Sequence, residues 1–405
     1  MRVVHLAHNY GLNNTGGAAI AATRIHQTLL KAGVDSHYVC VNKLEDGENV
    51  YEIPPSGTII RRVRNGLRFL EHVVGKIVCG EGRSNGIDIV PLFGLERVLA
   101  EIKPDIVQIH RTNAEVAPYQ QLAKLPYHVI FHLHDIYPFN GLRAYPADDH
   151  RYIEGFTKTN SSWIERRIVR IKQRAMAQLN PTFIGPSDWI CRCCQLSLVA
   201  RECPVVTIPY LFDRRFNYRA DVRRPHEKFI ALFGCFAGRG NGFKGWTDVK
   251  AALELLPEEC CRQMEVHVFG ETGPDEVVHG IRVHVLGNFS NPDDLVNVYN
   301  SADVFLMASK EDNSPLTKFE ALYCGLPVLA FDRTGCAEYI EHRVNGWVAS
   351  DGDCQGYADG LVYWQRQFRG TGIPYEQISV AARMKFAPER IVEAMNTVYE
   401  KVMAS

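Results

Sequence analysis

Short apolar runs alternate with amphipathic segments along the chain, and this pattern predicts an alternation of strands and helices. In the first half, the runs that predict strands are Val3–His8, Ser36–Asn42, Asp105–His110, His128–Leu133, Thr182–Pro186 and Val205–Pro209. The segments that predict helices are Gly17–Lys31, Leu92–Lys103, Trp163–Leu179 and Asp188–Ser197. Such an alternation is typical of a largely parallel sheet with helices on both faces.

A second series follows the turn-rich, charged stretch Asp213–Lys228, which we interpret as the link between two domains. Its apolar runs begin at Phe229, Met264 and Ile281, and helices close the chain. A chain of 405 residues is longer than one hydrophobic core usually supports, so two domains of about 200 residues each are expected.

The segment Glu311–Pro327, EDNSPLTKFEALYCGLP, carries the most chemical information. It joins two apolar runs, Val304–Ala308 and Pro327–Phe331, and so predicts a unit of strand, helix and strand. The acidic loop then follows the carboxyl end of a buried strand, where ligands of parallel sheets bind. The Gly-Leu-Pro turn is expected to end the helix.

The start of this helix is predicted from its capping residues. Ser314 suits the N-cap position and Pro315 the first helical position. The free N–H groups of Leu316 and Thr317 would then face outward, and such a helix start favours anionic or hydroxyl-rich ligands.

Two carboxylates flank that helix start. Asp312 precedes it, and Glu320 lies about a turn and a half inside, so the two could contact different parts of one ligand, such as a ribose diol. A surface helix with two solvated acids is the alternative interpretation of the motif taken alone.

With these residues the segment resembles the E-x7-E region of the retaining glycosyltransferases of family four, nucleotide-sugar enzymes of the GT-B fold. Asp312 stands where the family usually has Glu, and Glu311 lies one residue earlier. The Asp-Asn-x-Pro-Leu variation is similar to that of the exopolysaccharide branch, which includes colanic acid transferases.

The resemblance implies an α/β chain of two Rossmann-like domains that face each other across a cleft. An acceptor-side domain is expected at 1–212 and a nucleotide-sugar-binding domain at 213–387. A C-terminal helix at 388–405 is expected to return to the first domain.

Two glycine-rich loops match the same family. Asn13–Gly17 follows the first strand and opens a helix, although it is not a GxGxxG fingerprint. The loop FGCFAGRGNGFKGW supplies Lys244 and Arg239 as candidate cations for a departing nucleoside diphosphate, whose negative charge grows as the glycosidic bond breaks. The Lys244-Gly245 pair fits the family, whereas Cys235 occupies a position where the family commonly has Arg.

A further candidate is His134 in HLHDIYPFNG, at the end of a buried strand. The His134-Asp135 pair resembles a segment of the exopolysaccharide branch in which the histidine lies near the transferred sugar. The alternative is that Asp135 merely orients His134 under a loop. His110, which ends another strand, has a weaker claim.

The resemblance therefore assigns a catalytic role to four residues and donor binding to ten. The catalytic candidates are Lys244, Glu320, Asp312 and His134. The donor-binding candidates are Gly16, Gly17, Arg239, Lys244, Asn313, Ser314, Leu316, Thr317, Glu320 and Glu338.

Composition narrows the class of protein. A hydrophobic content of 46% and a formal charge of −1 describe a soluble globular chain and argue against nucleic-acid binding through bulk charge. No apolar run reaches the roughly 20 residues of a membrane span, and the start is too short for a signal peptide. A cytoplasmic protein is expected.

No metal or other cofactor is expected. The twelve cysteines are scattered, and Cys191 and Cys194 have CxxC spacing without a second pair, so reduced, packed thiols are predicted. Asp351-Gly352-Asp353 has DxD spacing but lies in a late turn away from the acidic unit, and the resemblance implies no obligatory metal.

Two segments are basic and amphipathic, 59–78 and Trp163–Leu179. Such helices can lie on anionic lipid, where each nearby cation adds about 1 kcal/mol. We interpret the second as an ordinary core-facing helix. The first carries Arg61, Arg62, Arg64 and Arg68 in the expected acceptor domain, which favours peripheral contact with the cytoplasmic face of the membrane and a lipid-linked acceptor.

The expected function is retaining transfer of a sugar from a nucleotide-sugar donor to a glycan or lipid-linked saccharide, in surface or exopolysaccharide biosynthesis. A nucleotide-sugar epimerase of the same fold is one alternative. A non-catalytic nucleotide- or carbohydrate-binding partner subunit is another, motivated by Cys235, Asp312 and the linker Pro209–Asp213, which lacks the family's usual Asn-Gly.

Overall fold

A computed structural model describes residues 1–12, 16–55, 57–79, 87, 89–111, 116–144, 149–223, 226–234, 238–289 and 291–404. The chain divides into two compact units. The first comprises Met1–Leu211 with Pro388–Ser405, and the second comprises Phe212–Ala387.

The first unit is built on a seven-stranded sheet in the order β3-β2-β1-β4-β5-β6-β7. Its strands, all parallel, are β1 (Arg2–Tyr10), β2 (Asp35–Lys43), β3 (Val50–Glu52), β4 (Ile106–Arg111), β5 (His128–Leu133), β6 (Thr182–Gly185) and β7 (Val205–Thr207). The helices between them are α1 (Gly17–Lys31), α2 (Ile59–Cys79), α3 (Leu95–Ile102), α4 (Tyr119–Leu122), α5 (Arg151–Glu154), α6 (Trp163–Leu179) and α7 (Asp188–Leu196).

The second unit repeats this plan in the order β10-β11-β9-β8-β12-β13-β14. Its strands are β8 (Phe229–Gly234), β9 (Met264–Phe269), β10 (Glu276–Val278), β11 (Ile281–Gly287), β12 (Val304–Met307), β13 (Val328–Asp332) and β14 (Gly346–Ser350), of which β10 alone is antiparallel among those described. Its helices are α8 (Trp246–Glu254), α9 (Glu258–Arg262), α10 (Pro292–Asn300), α11 (Leu316–Tyr323), α12 (Cys354–Arg369) and α13 (Tyr375–Lys385).

The last helix, α14 (Pro388–Met403), belongs to the first unit. Its Ile391 and Met395 share a buried apolar core with Val3 of β1. Tyr399 donates a hydrogen bond to Gln108 Oε1 of β4 at 2.6 Å. Val4 belongs to a different core cluster of this unit, so successive residues of β1 serve opposite faces of the sheet, as strand geometry requires.

The predicted strands and helices are present, with ends that shift by a few residues. The stretch interpreted as a link is partly packed on the second unit, where the Arg219 main-chain N–H donates to Asn300 Oδ1 at 2.8 Å. The predicted helix that holds Cys191 and Cys194 is confirmed as α7, and the cysteines with described side chains are free thiols. None of the described helices combines the length and the apolar character needed to cross a membrane.

Candidate functional site

The acidic loop and the lysine loop meet in the second unit. Lys244 Nζ donates to Asp312 Oδ2 at 2.6 Å, although 68 residues separate them in sequence. Lys244 follows β8 and Asp312 follows β12, and these strands are parallel neighbours, so their carboxyl ends lie at one edge of the sheet. Both side chains are partly accessible, with 25% and 16% of their surface exposed. The sequence placed these two charges in separate loops, and the structure brings them into direct contact.

A close backbone approach holds the lysine loop in this position. Gly245 has a φ of +74°, and a Cβ atom there would lie 1.9 Å from the carbonyl oxygen of Ala308. The main-chain N–H of Lys310 also donates to the carbonyl of Phe243 at 2.7 Å. Only glycine permits this approach, because any side chain would collide with the backbone that follows β12.

The predicted start of the motif helix is wrong by one residue. α11 begins at Leu316, and Pro315 occupies the N-cap with a φ of −63° and a ψ of 122°. Because Pro315 is extended, Ser314 lies one residue too far upstream to cap the helix. Its hydroxyl is buried and has no hydrogen-bond partner among the described residues.

The helix start still has the polar groups that a ligand could bind. Leu316 and Thr317 are half-buried, and the first N–H groups of a helix have no acceptor within it. Asn313 and Ser314 are buried immediately before them. Four donor-binding candidates, Asn313, Ser314, Leu316 and Thr317, therefore lie around one helix N-terminus, next to Asp312.

Glu320 lies inside α11 and is 9% exposed. Tyr299 of α10, which is fully buried, donates its phenol hydrogen to Glu320 Oε2 at 3.0 Å. This bond orients the carboxylate. Sequence reasoning missed Tyr299, because a tyrosine on a preceding amphipathic helix gives no signal beyond core packing.

Lys318 is a second residue that the sequence did not single out. It is fully buried within α11, and its Nζ donates to the carbonyls of Gly335 and Glu338 at 2.8 and 2.9 Å. Burial lowers the pKa of Lys318 to about 8, and the nearby Cys336, Glu338 and Asp312 oppose that shift. Since Gly335 N–H donates to the Asp312 carbonyl at 3.1 Å, Lys318 fastens the half-buried Glu338 segment beside the acidic loop.

Arg239 has different partners from those of Lys244. Its guanidinium contacts Glu271 at 2.5 Å and Glu276 at 2.7 Å. These residues, together with Trp246, line a cavity of about 380 Å³. The charge of Arg239 is therefore matched by two carboxylates from the β9–β10 region, and Cys235 lies outside the described residues.

His134 lies in the first unit and is almost completely buried. Its Nδ1 is 2.6 Å from the hydroxyl of Tyr210, and its Nε2 is 3.2 Å from Nδ1 of His110. His110 is bonded in turn to His5, at 2.9 Å. Both ring nitrogens of His134 are thus engaged, and burial holds its pKa well below the usual value. Tyr210 and His110 orient the ring, while Asp135 accepts from the main-chain N–H of Tyr137.

The remaining sequence candidates have simpler positions. Gly16 is the N-cap of α1 and Gly17 its first residue, both exposed, whereas Asn13–Thr15 lie outside the described residues. In the DxD segment, Asp351 forms an ion pair with Arg333 at 2.7 Å. Asp353 accepts a hydrogen bond from Gly356 N–H and caps α12.

Two family models match the chain, and each match lies mainly within one of the two units. Residues 15–214 match the model described as Glycosyltransferase Family 4, and residues 234–366 match the one described as Glycosyl transferases group 1. The second range contains Lys244, Asp312 and Glu320.

Parts of the chain are also similar in sequence to two named proteins. The amylovoran biosynthesis glycosyltransferase AmsK of Erwinia amylovora is 34% identical over 79 residues, which are 18% of this chain and 19% of that protein. Spore coat protein SA of Bacillus subtilis (strain 168) is 28% identical over 195 residues, 44% of this chain and 50% of that protein. The chain thus spans between a fifth and a half of the length of these two relatives.

Among solved structures, Anabaena Alr3699/HepE in complex with UDP is similar over 99% of this chain and 100% of that chain, with a TM-score of 0.63 and 15% identity. The predicted fold class is confirmed. Both halves of the chain match glycosyltransferase family models, and its two parallel-sheet domains have the GT-B fold.

Proposed function

We propose that this protein transfers a sugar from a nucleotide-sugar donor to a glycan or lipid-linked saccharide, with retention at the anomeric carbon, in surface or exopolysaccharide biosynthesis. The observation that carries this proposal is the Lys244–Asp312 pair at the N-terminus of α11, at 2.6 Å. The HepE structures with UDP and with UDP-glucose support the donor class. The name of AmsK supports the glycan context.

Charge stabilisation is the main task of this site. A nucleoside diphosphate leaving group gains negative charge as the glycosidic bond breaks, and the Lys244 ammonium and the first N–H groups of α11 would stabilise it. Asp312 holds the ammonium in place and, with the donor bound, would accept hydrogen bonds from sugar hydroxyls. One charge-assisted contact of this kind contributes roughly 1.5 to 3 kcal/mol, or about ten- to a hundredfold in rate.

The remaining steps need positioning more than acid–base catalysis. Glu320, oriented by Tyr299, would accept from the ribose of the nucleotide. In retaining transfer on one face, the leaving phosphate takes the proton of the acceptor hydroxyl, so no separate base is required. Because Lys244 and the helix N-terminus supply positive charge, we include in the proposal that no metal is obligatory for transfer.

A lipid-linked acceptor fits the surface of α2. Nine large apolar residues of this helix are 38% or more exposed: Ile59, Ile60, Val63, Leu67, Phe69, Leu70, Val73, Val74 and Ile77. The exposed cations Arg62 and Lys76 lie among them, and Glu71, the one acidic residue of this helix, is buried. An apolar, cationic helix surface is complementary to an anionic bilayer.

Two of the arginines expected to face lipid contact the protein instead. Arg61 donates to the Val41 carbonyl at 2.8 Å and to Glu52 at 2.9 Å. Arg64 is 2% exposed and donates to the carbonyl of Val116. These two side chains fasten α2 to its unit, so replacing them would disturb the fold rather than test lipid contact.

Product analysis tests the proposed reaction. The full chain is incubated with UDP-, GDP- and ADP-sugars, with and without a lipid-linked saccharide fraction, and sugar transfer and anomeric configuration are followed by NMR. We expect acceptor-dependent release of nucleoside diphosphate and a retained anomer. An isomeric sugar nucleotide formed without acceptor would establish an epimerase instead, and donor binding without turnover on any acceptor would favour a binding subunit.

A further inference from the structure

A separate cluster of possible metal ligands lies on two neighbouring strands of the second unit. Glu265 and His267 are two residues apart on β9 and therefore face the same side of the sheet. His284 of β11 is the direct partner of His267 in the parallel register. Three side chains with ligand atoms thus come from two hydrogen-bonded strands, which hold their relative positions.

The distances between these side chains suit a single cation. Glu265 Oε2 lies 3.8 Å from Nε2 of His267 and 3.8 Å from Nε2 of His284. One ligand atom from each residue falls within 4.8 Å of the other two. Ligand atoms around a tetrahedral ion with bonds of about 2.0–2.2 Å are roughly 3.3–3.6 Å apart. The two separations from Glu265 would therefore shorten by a few tenths of an ångström on binding, and that between the two histidines by at most roughly 1.5 Å.

A fourth residue fixes the orientation of His284. Asp275 Oδ2 lies 2.9 Å from Nδ1 of His284, and Oδ1 of the same carboxylate accepts from the main-chain N–H of Val285, also at 2.9 Å. A carboxylate in this position makes Nδ1 the proton-bearing nitrogen, which leaves the lone pair of Nε2 directed toward Glu265. Metal-bound histidines are commonly held by such a carboxylate.

The site is accessible and its charge is balanced. The side chains of His267, Glu265 and His284 are 18%, 22% and 27% exposed. Lys228 donates to Glu265 Oε1 at 2.8 Å, so the other carboxylate oxygen, Oε2, is the one that faces the two histidines. Glu265 could therefore bind an ion through Oε2 and keep its bond to Lys228.

We propose that Glu265, His267 and His284 bind one divalent transition-metal ion of the zinc class, with Asp275 as the positioning residue for His284. Two imidazoles and one carboxylate are ligands that Zn²⁺ accepts, and three protein ligands leave a position for water. The ion would link β9 to β11. This site is distinct from the proposed donor site, because Glu265 and His267 pair in register with Ile230 and Leu232 within the sheet, whereas Lys244 follows the strand ends.

Cobalt spectroscopy followed by zinc competition tests this site. The reduced full chain is titrated with Co²⁺ alone, the visible bands are recorded, and Zn²⁺ is then added; melting temperatures are measured with and without Zn²⁺. We expect one equivalent of Co²⁺ with nitrogen and oxygen coordination, displacement by Zn²⁺ and a higher melting temperature. The twelve cysteines make a thiolate-to-cobalt charge-transfer band the decisive contrary signal.

Matched variants locate the ion. His267→Gln and His284→Gln should each weaken Co²⁺ and Zn²⁺ binding by at least about tenfold, and Asp275→Asn by about ten- to a hundredfold. His279→Gln replaces an exposed histidine at the turn before β11 and should bind as the unaltered chain does. Circular dichroism without metal checks folding, and if one histidine variant fails to fold, the other decides. Absence of Co²⁺ binding, a thiolate band, or undiminished binding in the folded histidine variants would overturn the proposal.

Discussion

Buried polar residues of the second unit are held by specific partners. Lys318 has two main-chain carbonyls, and Glu320 has the phenol of Tyr299. The sequence indicated Lys244 and Asp312, because each follows an apolar strand in a polar loop. It could not show that Arg239 is neutralised, since Glu271 and Glu276 lie more than 30 residues away along the chain.

Five buried histidines of the first unit have pKa values below the usual value. Burial lowers the pKa of His26 to about 4 and that of His132 to about 3. Burial also lowers the pKa values of His5, His110 and His134. Nε2 of His132 is buried without a hydrogen-bond partner among the described residues, so a proton there would gain no acceptor.

Acid should therefore destabilise the fold. The unfolded chain binds protons at its histidines near pH 6.5, whereas the folded chain does not, so stability is fully present above that pH and is lost as pH falls toward the folded pKa values. Between pH 6.5 and 5, where ordinary carboxylates are still ionised, each such histidine contributes a slope of up to about 1.4 kcal/mol per pH unit. Urea unfolding at pH 7, 6 and 5 measures this slope.

The control variants for this experiment separate buried from exposed histidines. His132→Gln keeps an acceptor for Gln108 but cannot titrate, so its slope should be shallower by up to about 1.4 kcal/mol per pH unit. His279→Gln, at an exposed position, should leave the slope unchanged. Equal free energies of unfolding at pH 7 and pH 5 in the unaltered chain would contradict this account.

At the scale of elements, α11 shows which helix signals are reliable. Gly325 has a φ of +86°, and Leu326 N–H donates to the Ala321 carbonyl at 2.9 Å, so the predicted Gly-Leu-Pro turn does end the helix. The start was mispredicted because both Ser314 and Pro315 satisfy N-terminal preferences. Local preference cannot decide between two adjacent positions, and the extended conformation of Pro315, with a ψ of 122°, makes Leu316 the first helical residue.

The apolar surface of α2 gives a prediction of its own. Phe69 and Ile77 are 67% and 78% exposed, so a Phe69→Asp/Ile77→Asp variant should weaken binding to vesicles of phosphatidylglycerol and phosphatidylcholine. Burial of one such side chain contributes about 1.5–3 kcal/mol, which corresponds to a loss of at least tenfold. Vesicle co-sedimentation measures the affinity.

Trp163→Asp is the matched control for that measurement. Trp163 is 66% exposed at the start of α6, the second basic helix of the same unit. Its replacement should leave vesicle binding unchanged. If the α2 variant bound vesicles as the unaltered chain does, or if Trp163→Asp lost binding equally, contact through α2 would be excluded.

At the scale of the whole molecule, the apolar runs predicted most strands, because strands buried on both faces leave a clear signal in sequence. The strands that were missed, β3, β10 and β14, are three to five residues long and lie at the ends of their sheets' strand orders. A strand with one neighbour needs little apolar sequence. The donor and acceptor identities also have no local signal, since pocket shape sets them.

The most direct test of the central claim is the affinity for a nucleoside diphosphate, measured by calorimetry with UDP, GDP and ADP for the unaltered chain, Lys244→Met and Lys310→Met. Lys310 is a nearby exposed lysine paired with Asp248 at 3.5 Å, so its replacement controls for loss of one charge. We predict that the preferred nucleotide binds Lys244→Met about ten- to a hundredfold more weakly and Lys310→Met unchanged. Equal affinity of Lys244→Met and the unaltered chain would contradict the account.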